Sequence, residues 1–238
     1  MDLKETEILG DGIGKHWYYK SKALAAMRLL GDEPPSVVLD VGAGSGFFSR
    51  YLLAHGGAQE AWCVDIGYSV EHDGDEQGKP IHYRRSIERG NADTVLLMDV
   101  LEHVDDDVGL LAEYVGKVSS GARFLISVPA FQFLWSGHDE FLEHKRRYTL
   151  AQLDDVVKRA GLLPTKSAYY FGLVFPMAAA MRLASRCLGT GVGTASSQLK
   201  RHSAFANGTL ALVCKAELPL MAINRLAGLT VFCMAERP

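Results

Sequence analysis

"LDVGAGSGFF", residues 39–48, is the stretch from which the rest of the chain is read. An apolar run ends in Asp40, and Gly42, Gly44 and Gly46 then turn tightly into a segment that opens on two phenylalanines. Glycines at such a turn let backbone amides approach a ligand with no Cβ in the way, and the helix N-terminus behind them adds partial positive charge. Asp65 closes the next apolar run, 19 residues after Gly46, where a carboxylate can accept both hydroxyls of a ribose. Asp40 is unusual for a dinucleotide site. A carboxylate under the loop repels a pyrophosphate but suits a ligand carrying an ammonium or a sulfonium.

Working outward, apolar β-branched runs alternate with helical patterns, which predicts an α/β sheet with crossover helices. Strands are expected at 36–42, 61–67, about 81–86, 94–100, 123–129, 165–171 and across "LTVFCMAER" near the end. Phe47, Phe48, Tyr51 and Leu52 share one face of the first crossover helix, which Gly56-Gly57 stops. Val108, Leu111, Ala112, Val115 and Val118 keep helical spacing before Gly121. Thr149-Leu-Ala-Gln152 fits a capping box for a helix ending at Gly161. The expectation is one domain, 1–238, with an N-terminal helical cover over 1–34 and a helical insert over 172–227. In that insert Met177, Met181, Ala184 and Leu188 line one face, which suits a helix packed on the domain, a homodimer contact, or a lid or membrane-surface element around a greasy substrate.

Composition narrows the classes. Twenty-five Lys and Arg against 28 Asp and Glu leave a net charge of −3, a poor balance for general nucleic-acid binding. Cys63, Cys187, Cys214 and Cys233 are far apart with no CxxC pair, which favours free thiols over disulfides or zinc. The polar start and the lack of a long uncharged apolar run predict a cytoplasmic protein, with peripheral membrane contact as an option through the insert.

"VLDVGAGSG", "CVDIG" and "LLMDVLEHV", in this order and spacing, resemble the first, second and fourth motifs of class I S-adenosylmethionine (SAM)-dependent methyltransferases. The resemblance covers roughly residues 36–163, and "HWYYKSKAL" and "VPAFQFLWSGHDEFLEHKRRYT" resemble a bacterial subgroup with small-molecule or lipid-linked acceptors. It implies a Rossmann-like seven-stranded sheet, mostly parallel with the last strand reversed, helices on both faces, and the helical insert between strands six and seven. It also implies SAM as cofactor and S-adenosylhomocysteine as product. Gly42, Ala43, Gly44 and Gly46 would cradle the methionine part, with Asp40 helping its ammonium. Asp65 would bind the ribose and Ile66 would pack on the adenine. Ser86 stands where the family often has an acidic residue against the adenine amine. Asp99, Val100 and Leu101 would line the methionine side.

At the acceptor, His103 is the leading base, since an imidazole titrates near neutral pH. "DVLE" at 99–102 is not the Asp/Asn-Pro-Pro-aromatic motif of enzymes that methylate adenine or glutamine amides. "WSGHDEFLEHKRRYT", 135–149, would wall the acceptor pocket at the carboxyl edge of the sheet. Phe131 and Trp135 would give apolar surface, while His138, Asp139 and His144 would orient or deprotonate the acceptor. Arg146 or Arg147 would meet an anionic group, and Tyr148 would close the wall. No metal site is expected there, because His138 and His144 are six apart and fall on different helix faces. Trp17 and Tyr19 would cover the reaction from an N-terminal helix. Two other readings stay open: a SAM-binding partner protein without catalysis, and a nicotinamide-dependent reductase. Against the reductase, Tyr114 and Lys117 miss the Tyr-x-x-x-Lys spacing by one.

Overall fold

The structure is a computed structural model that describes residues 10–187 and 203–238. Strand β1 (Val37–Val41) leads through the glycine loop into α2 (Phe47–His55), and α1 (Trp17–Leu30) precedes both. β2 (Glu60–Val64), β3 (His72–Glu76), β4 (Lys79–Arg84) and β5 (Thr94–Met98) follow. Then come α3 (Asp107–Lys117), β6 (Arg123–Pro129), α4 (Gly137–Phe141), α5 (Leu150–Arg159) and β7 (Leu163–Tyr170). Helices α6 (Phe175–Cys187) and α7 (Ala204–Met221) stand between β7 and the last strand, β8 (Thr230–Glu236).

The strands form one sheet in the order β3-β4-β2-β1-β5-β6-β8-β7. β1 lies parallel to β2 and β5, with Asp40 opposite Cys63 on one side and Leu96 on the other. β8 runs antiparallel to both β6 and β7, so the reversed last strand sits inside the sheet. Strands buried on both faces must be apolar throughout, and β5 and β8 are buried along almost their whole length. Tyr19, Ala23 and Ala26 of α1, Phe48 and Leu52 of α2, and Met221 of α7 fill one face. Leu111 of α3 and Leu153 and Val157 of α5 fill the other. The Thr149/Gln152 capping box opens α5 as its sequence predicts.

The sheet has eight strands rather than seven. The extra one, β3, reads HDGDE, is exposed along most of its length, and pairs antiparallel with β4 at the sheet edge. Gln77 and Gly78 make the turn with φ of 55° and 81°, the left-handed pair that suits a tight hairpin. A polar edge strand carries no apolar alternation, so periodicity misses it. Residues 85–93 then cross from β4 to β5 without a helix and leave a groove of about 370 Å³ over Leu39, Trp62 and Ile87.

The N-terminal helix is tied to the insert. Trp17 N donates to Asn207 Oδ1 at 2.8 Å, and Asn207 Nδ2 donates to the Lys15 carbonyl at 2.8 Å. At the other end of α7, Glu217 accepts from Gly172 N at 2.6 Å and Leu173 N at 3.1 Å. The apolar stripe of α6 does not pack inward: Met177 and Met181 are 57% and 61% exposed. Leu188, assigned to that stripe, lies outside the described residues. No described helix is long and apolar enough to cross a membrane.

Gly228 sets the approach of β8 to β7, because a Cβ there would stand 2.2 Å from the Tyr170 carbonyl oxygen and 2.9 Å from its nitrogen. Gly228→Ala is therefore expected to destabilise the fold by about 1–3 kcal/mol through overpacking, measured as a lowered urea midpoint at unchanged slope.

Candidate functional site

The carboxyl ends of β1, β2 and β5 converge on the glycine loop. Gly42, Gly44 and Gly46 have φ of 65°, 53° and 71°, a region open to glycine and costly for other residues. Space is equally restrictive. A Cβ on Gly42 would lie 2.8 Å from Val100 Cγ2, and one on Gly46 would lie 2.9 Å from the Tyr83 hydroxyl. Gly42 N and Ala43 N both donate to the Val64 carbonyl, at 2.7 and 3.2 Å, which staples the loop to the end of β2.

Asp65 completes the staple. Its Oδ2 accepts from Gly44 N at 2.9 Å and its Oδ1 from Gly67 N at 2.8 Å, while the Tyr68 hydroxyl donates to the Gly44 carbonyl at 2.7 Å. Ile66 beside it is 85% exposed, an apolar surface with nothing packed on most of it. Ser86 is exposed at the end of β4. Asp40 lies buried beneath the loop, accepting from Ser49 Oγ at 2.9 Å. Burial pushes its carboxyl up to about 6, and a cation placed above it would favour its charged form.

Asp99 ends β5 with φ of 58°, a strained conformation for a residue other than glycine. Ser127 Oγ donates to its Oδ1 at 3.3 Å, and the fully buried Lys22 of α1 forms an ion pair with its Oδ2. Burial opposes the Asp99 charge, but the Lys22 ammonium outweighs it and holds the carboxyl below its ordinary range. Lys22 was not singled out from sequence. Its signal was spacing: it shares a helix face with the buried Tyr19, Ala23 and Ala26. Val100 touches the loop, whereas Leu101 is fully buried.

A 3₁₀ turn, Leu101–His103, carries the chain onward. Glu102 is fully buried, and neither carboxylate oxygen has a hydrogen-bond partner. The sequence gives no sign of its burial, since a carboxylate in "VLEHV" can as readily face solvent at a turn. His103 and His144 meet with ring centroids 4.8 Å apart and planes at 79°. Burial and the neighbouring His144 push the His103 imidazole down to about 4. It is neutral at pH 7, the form that can accept a proton, and a weaker base than a free imidazole.

The 135–149 segment folds as a braced unit rather than an open pocket wall. α4 stops at Phe141, and His144 returns to Asp139, Nδ1 to Oδ1 at 2.9 Å. His138 and His144 are thus not on one helix, and His138 is outside the His103 cluster, its imidazole pushed down to about 4 by burial. Asp139 is fully buried and bonded by Arg147, Nε at 2.7 Å and Nη2 at 3.0 Å. Burial opposes its charge, yet His144 and Arg147 hold the carboxyl well below the usual range.

Several expected acceptor contacts are structural instead. Arg147 spends its remaining Nη1 on the Ala130 carbonyl at 3.0 Å, so it offers no free fork to an anion. Tyr148 is buried, its hydroxyl on Asp107 Oδ2 at 2.8 Å and the Leu101 carbonyl at 3.1 Å. Arg146 pairs with Asp107 at 3.2 Å and with the Val104 and Asp105 carbonyls. Tyr19 is a core residue, edge-on to Phe47 at 5.8 Å. Trp17 and Trp135 are half-buried, and Phe131 stacks on Tyr169 at 4.8 Å.

Comparison with known proteins adds to this geometry. A family profile described as "Methyltransferase domain" matches residues 15–166. No curated protein matches the sequence. A Haloferax volcanii protein described as a methyltransferase, in complex with the Trm112 methyltransferase activator, superposes with a TM-score of 0.60 at 18% identity, over 99% of this chain and 93% of that one. Phosphoethanolamine N-methyltransferase 2 of Haemonchus contortus, in complex with SAM, superposes with a TM-score of 0.56 at 17% identity, over 100% of this chain and 60% of that one.

Arg147→Met would strand the buried Asp139 carboxylate, and a loss of about 3–5 kcal/mol at pH 7 is expected from thermal unfolding. A depressed carboxyl stabilises fully above its unfolded value and loses that contribution as pH falls toward the folded one. The deficit should therefore shrink as unfolding is repeated below about pH 4.

Proposed function

This chain belongs to the methyltransferase-domain family, and we propose that it moves a methyl group from SAM to a small organic acceptor bound beside His103 and His144. The single observation that carries the cofactor placement is the loop of left-handed glycines, stapled to Asp65 and underlaid by the buried Asp40. In this reading the amides of Gly42–Gly46 and the Asp40 carboxylate hold the methionine part, with Asp99, Val100 and Leu101 along its side. Asp65 takes the ribose hydroxyls, and the exposed Ile66 and Ser86 face the adenine.

SAM supplies an electrophilic methyl on a sulfonium. Attack by the acceptor would form the new bond as the carbon–sulfur bond breaks, with the electron pair kept by sulfur, S-adenosylhomocysteine leaving, and any proton on the attacking atom passing to solvent. Since charge disappears in this step, alignment contributes most of the acceleration. The Lys22–Asp99 pair supports that alignment by fixing α1 to the end of β5. The half-buried Trp17, edge-on to Phe171 at 5.7 Å, excludes water from the same side.

A lipophilic or lipid-linked acceptor is the finer reading. Its support is the apolar surface left on the insert, where Met177, Met181, Leu212 and Leu220 are all more than half exposed. The same surface would suit a homodimer contact or peripheral attachment to a membrane.

Asp65→Ala is expected to weaken SAM binding at least tenfold, about 1.4 kcal/mol of hydrogen bonding, as read by calorimetry; unchanged affinity would refute the cofactor placement. Transfer of labelled methyl from SAM into a cell extract should put label in the organic phase if the acceptor is lipophilic. Label in the aqueous phase alone would assign a polar metabolite instead. No transfer alongside intact SAM binding would favour a non-catalytic partner role.

A further inference from the structure

Glu102 poses a physical problem. A fully buried carboxylate with neither oxygen bonded costs several kcal/mol unless a positive charge or proton meets it. The buried cation closest in role, Lys22, is already paired with Asp99. What does face Glu102 is a pair of imidazoles. One donor atom each from Glu102, His103 and His144 lies within 4.8 Å of the other two.

Both imidazoles are braced the way metal-ligating histidines are. His144 commits Nδ1 to Asp139 at 2.9 Å, which leaves Nε2 for the cluster, and Asp139 is itself clamped by Arg147 and by Ser136 N at 2.9 Å. The backbone carbonyl of Leu142 serves as hydrogen-bond partner to His103. The two segments that carry the ligands are joined directly, Lys145 N donating to the Glu102 carbonyl at 2.7 Å. Such bracing fixes ring orientation, which a merely space-filling histidine pair does not need.

We propose that Glu102, His103 and His144 bind one first-row divalent transition-metal ion, such as Mn²⁺, Fe²⁺, Co²⁺ or Zn²⁺. Two imidazole nitrogens and one carboxylate oxygen suit these ions better than Mg²⁺ or Ca²⁺, which favour all-oxygen sites. Three protein ligands leave coordination positions open. Because the cluster directly follows Asp99–Leu101, those positions would take an oxygen of the methyl acceptor. That role, unlike the site itself, rests on the methyltransferase reading. A bound ion would lower the pKa of an acceptor hydroxyl, whose proton would pass to water as its oxygen takes the methyl, the C–S bond breaks and S-adenosylhomocysteine leaves.

The test is a titration of the full chain with Co²⁺ in the absence of SAM, followed by visible absorption. Ligand-field bands saturating at one ion per chain are expected. Glu102→Gln and His144→Ala should each weaken Co²⁺ binding at least tenfold. Glu102→Gln is isosteric and removes a buried charge, so it should fold, and retained S-adenosylhomocysteine binding by calorimetry would verify this. Absence of bands in the parent chain, or bands unchanged in both variants, would overturn the site and leave Glu102 as a protonated core residue. Failure of the parent chain itself to bind S-adenosylhomocysteine would instead count against the methyltransferase reading, with the metal titration still standing.

Discussion

A parallel strand delivers its last residue to an edge where the next element must reverse direction within a few residues. At the end of β1 that reversal needs three left-handed dihedrals, and only residues without a Cβ adopt them beside Val100 and Tyr83. Much else follows from this constraint. Because the loop must stay thin, Val64 can accept from Gly42 and Ala43, and Asp65 can reach Gly44. The loop then roofs Asp40, whose burial raises its carboxyl and makes a cationic guest above it favourable.

Around that edge the chain buries charge repeatedly. Lys22 with Asp99, and Arg147 with Asp139, are ion pairs withdrawn from water, and His144 adds a hydrogen bond to Asp139. Such pairs add little net stability compared with apolar residues of the same shape, because desolvation consumes much of the attraction. Their value is geometric. They fix α1 against β5 and fold residues 136–147 into a rigid brace. The same brace explains why Arg147 and Tyr148, which read as substrate contacts, turn inward to neighbouring protein groups.

Legibility in the sequence tracked burial pattern. β1, β2, β5, β6 and β8 are apolar runs because both their faces are covered, and that composition can be read without coordinates. β3 was illegible since its side chains mostly meet water and it is held by backbone pairing and polar contacts such as Asp73 with His82 and Arg84, which leave no apolar alternation. The glycine loop, Asp40 and Asp65 were legible because unusual dihedrals and a carboxylate at a strand end restrict residue type. Glu102 was not, because a charged residue buried by tertiary contact looks the same in sequence as one on a solvated face; Lys22 left only its spacing with Tyr19, Ala23 and Ala26 as a signal. His103 shows a further limit: residue type suggested a proton shuttle, whereas its surroundings set its basicity.

The reversed strand has a bearing on how the molecule comes to be made. β7 occupies the sheet edge and pairs with β8 alone, and β8 is separated from it by the whole helical insert. While residues 230–236 are still inside a ribosome, β6 presents one bare edge and β7 has no neighbour. The nascent chain can assemble β1 to β6 but must hold an open, apolar margin until the final strand slides between two partners. During that interval the chain would be most exposed to aggregation and most dependent on chaperones.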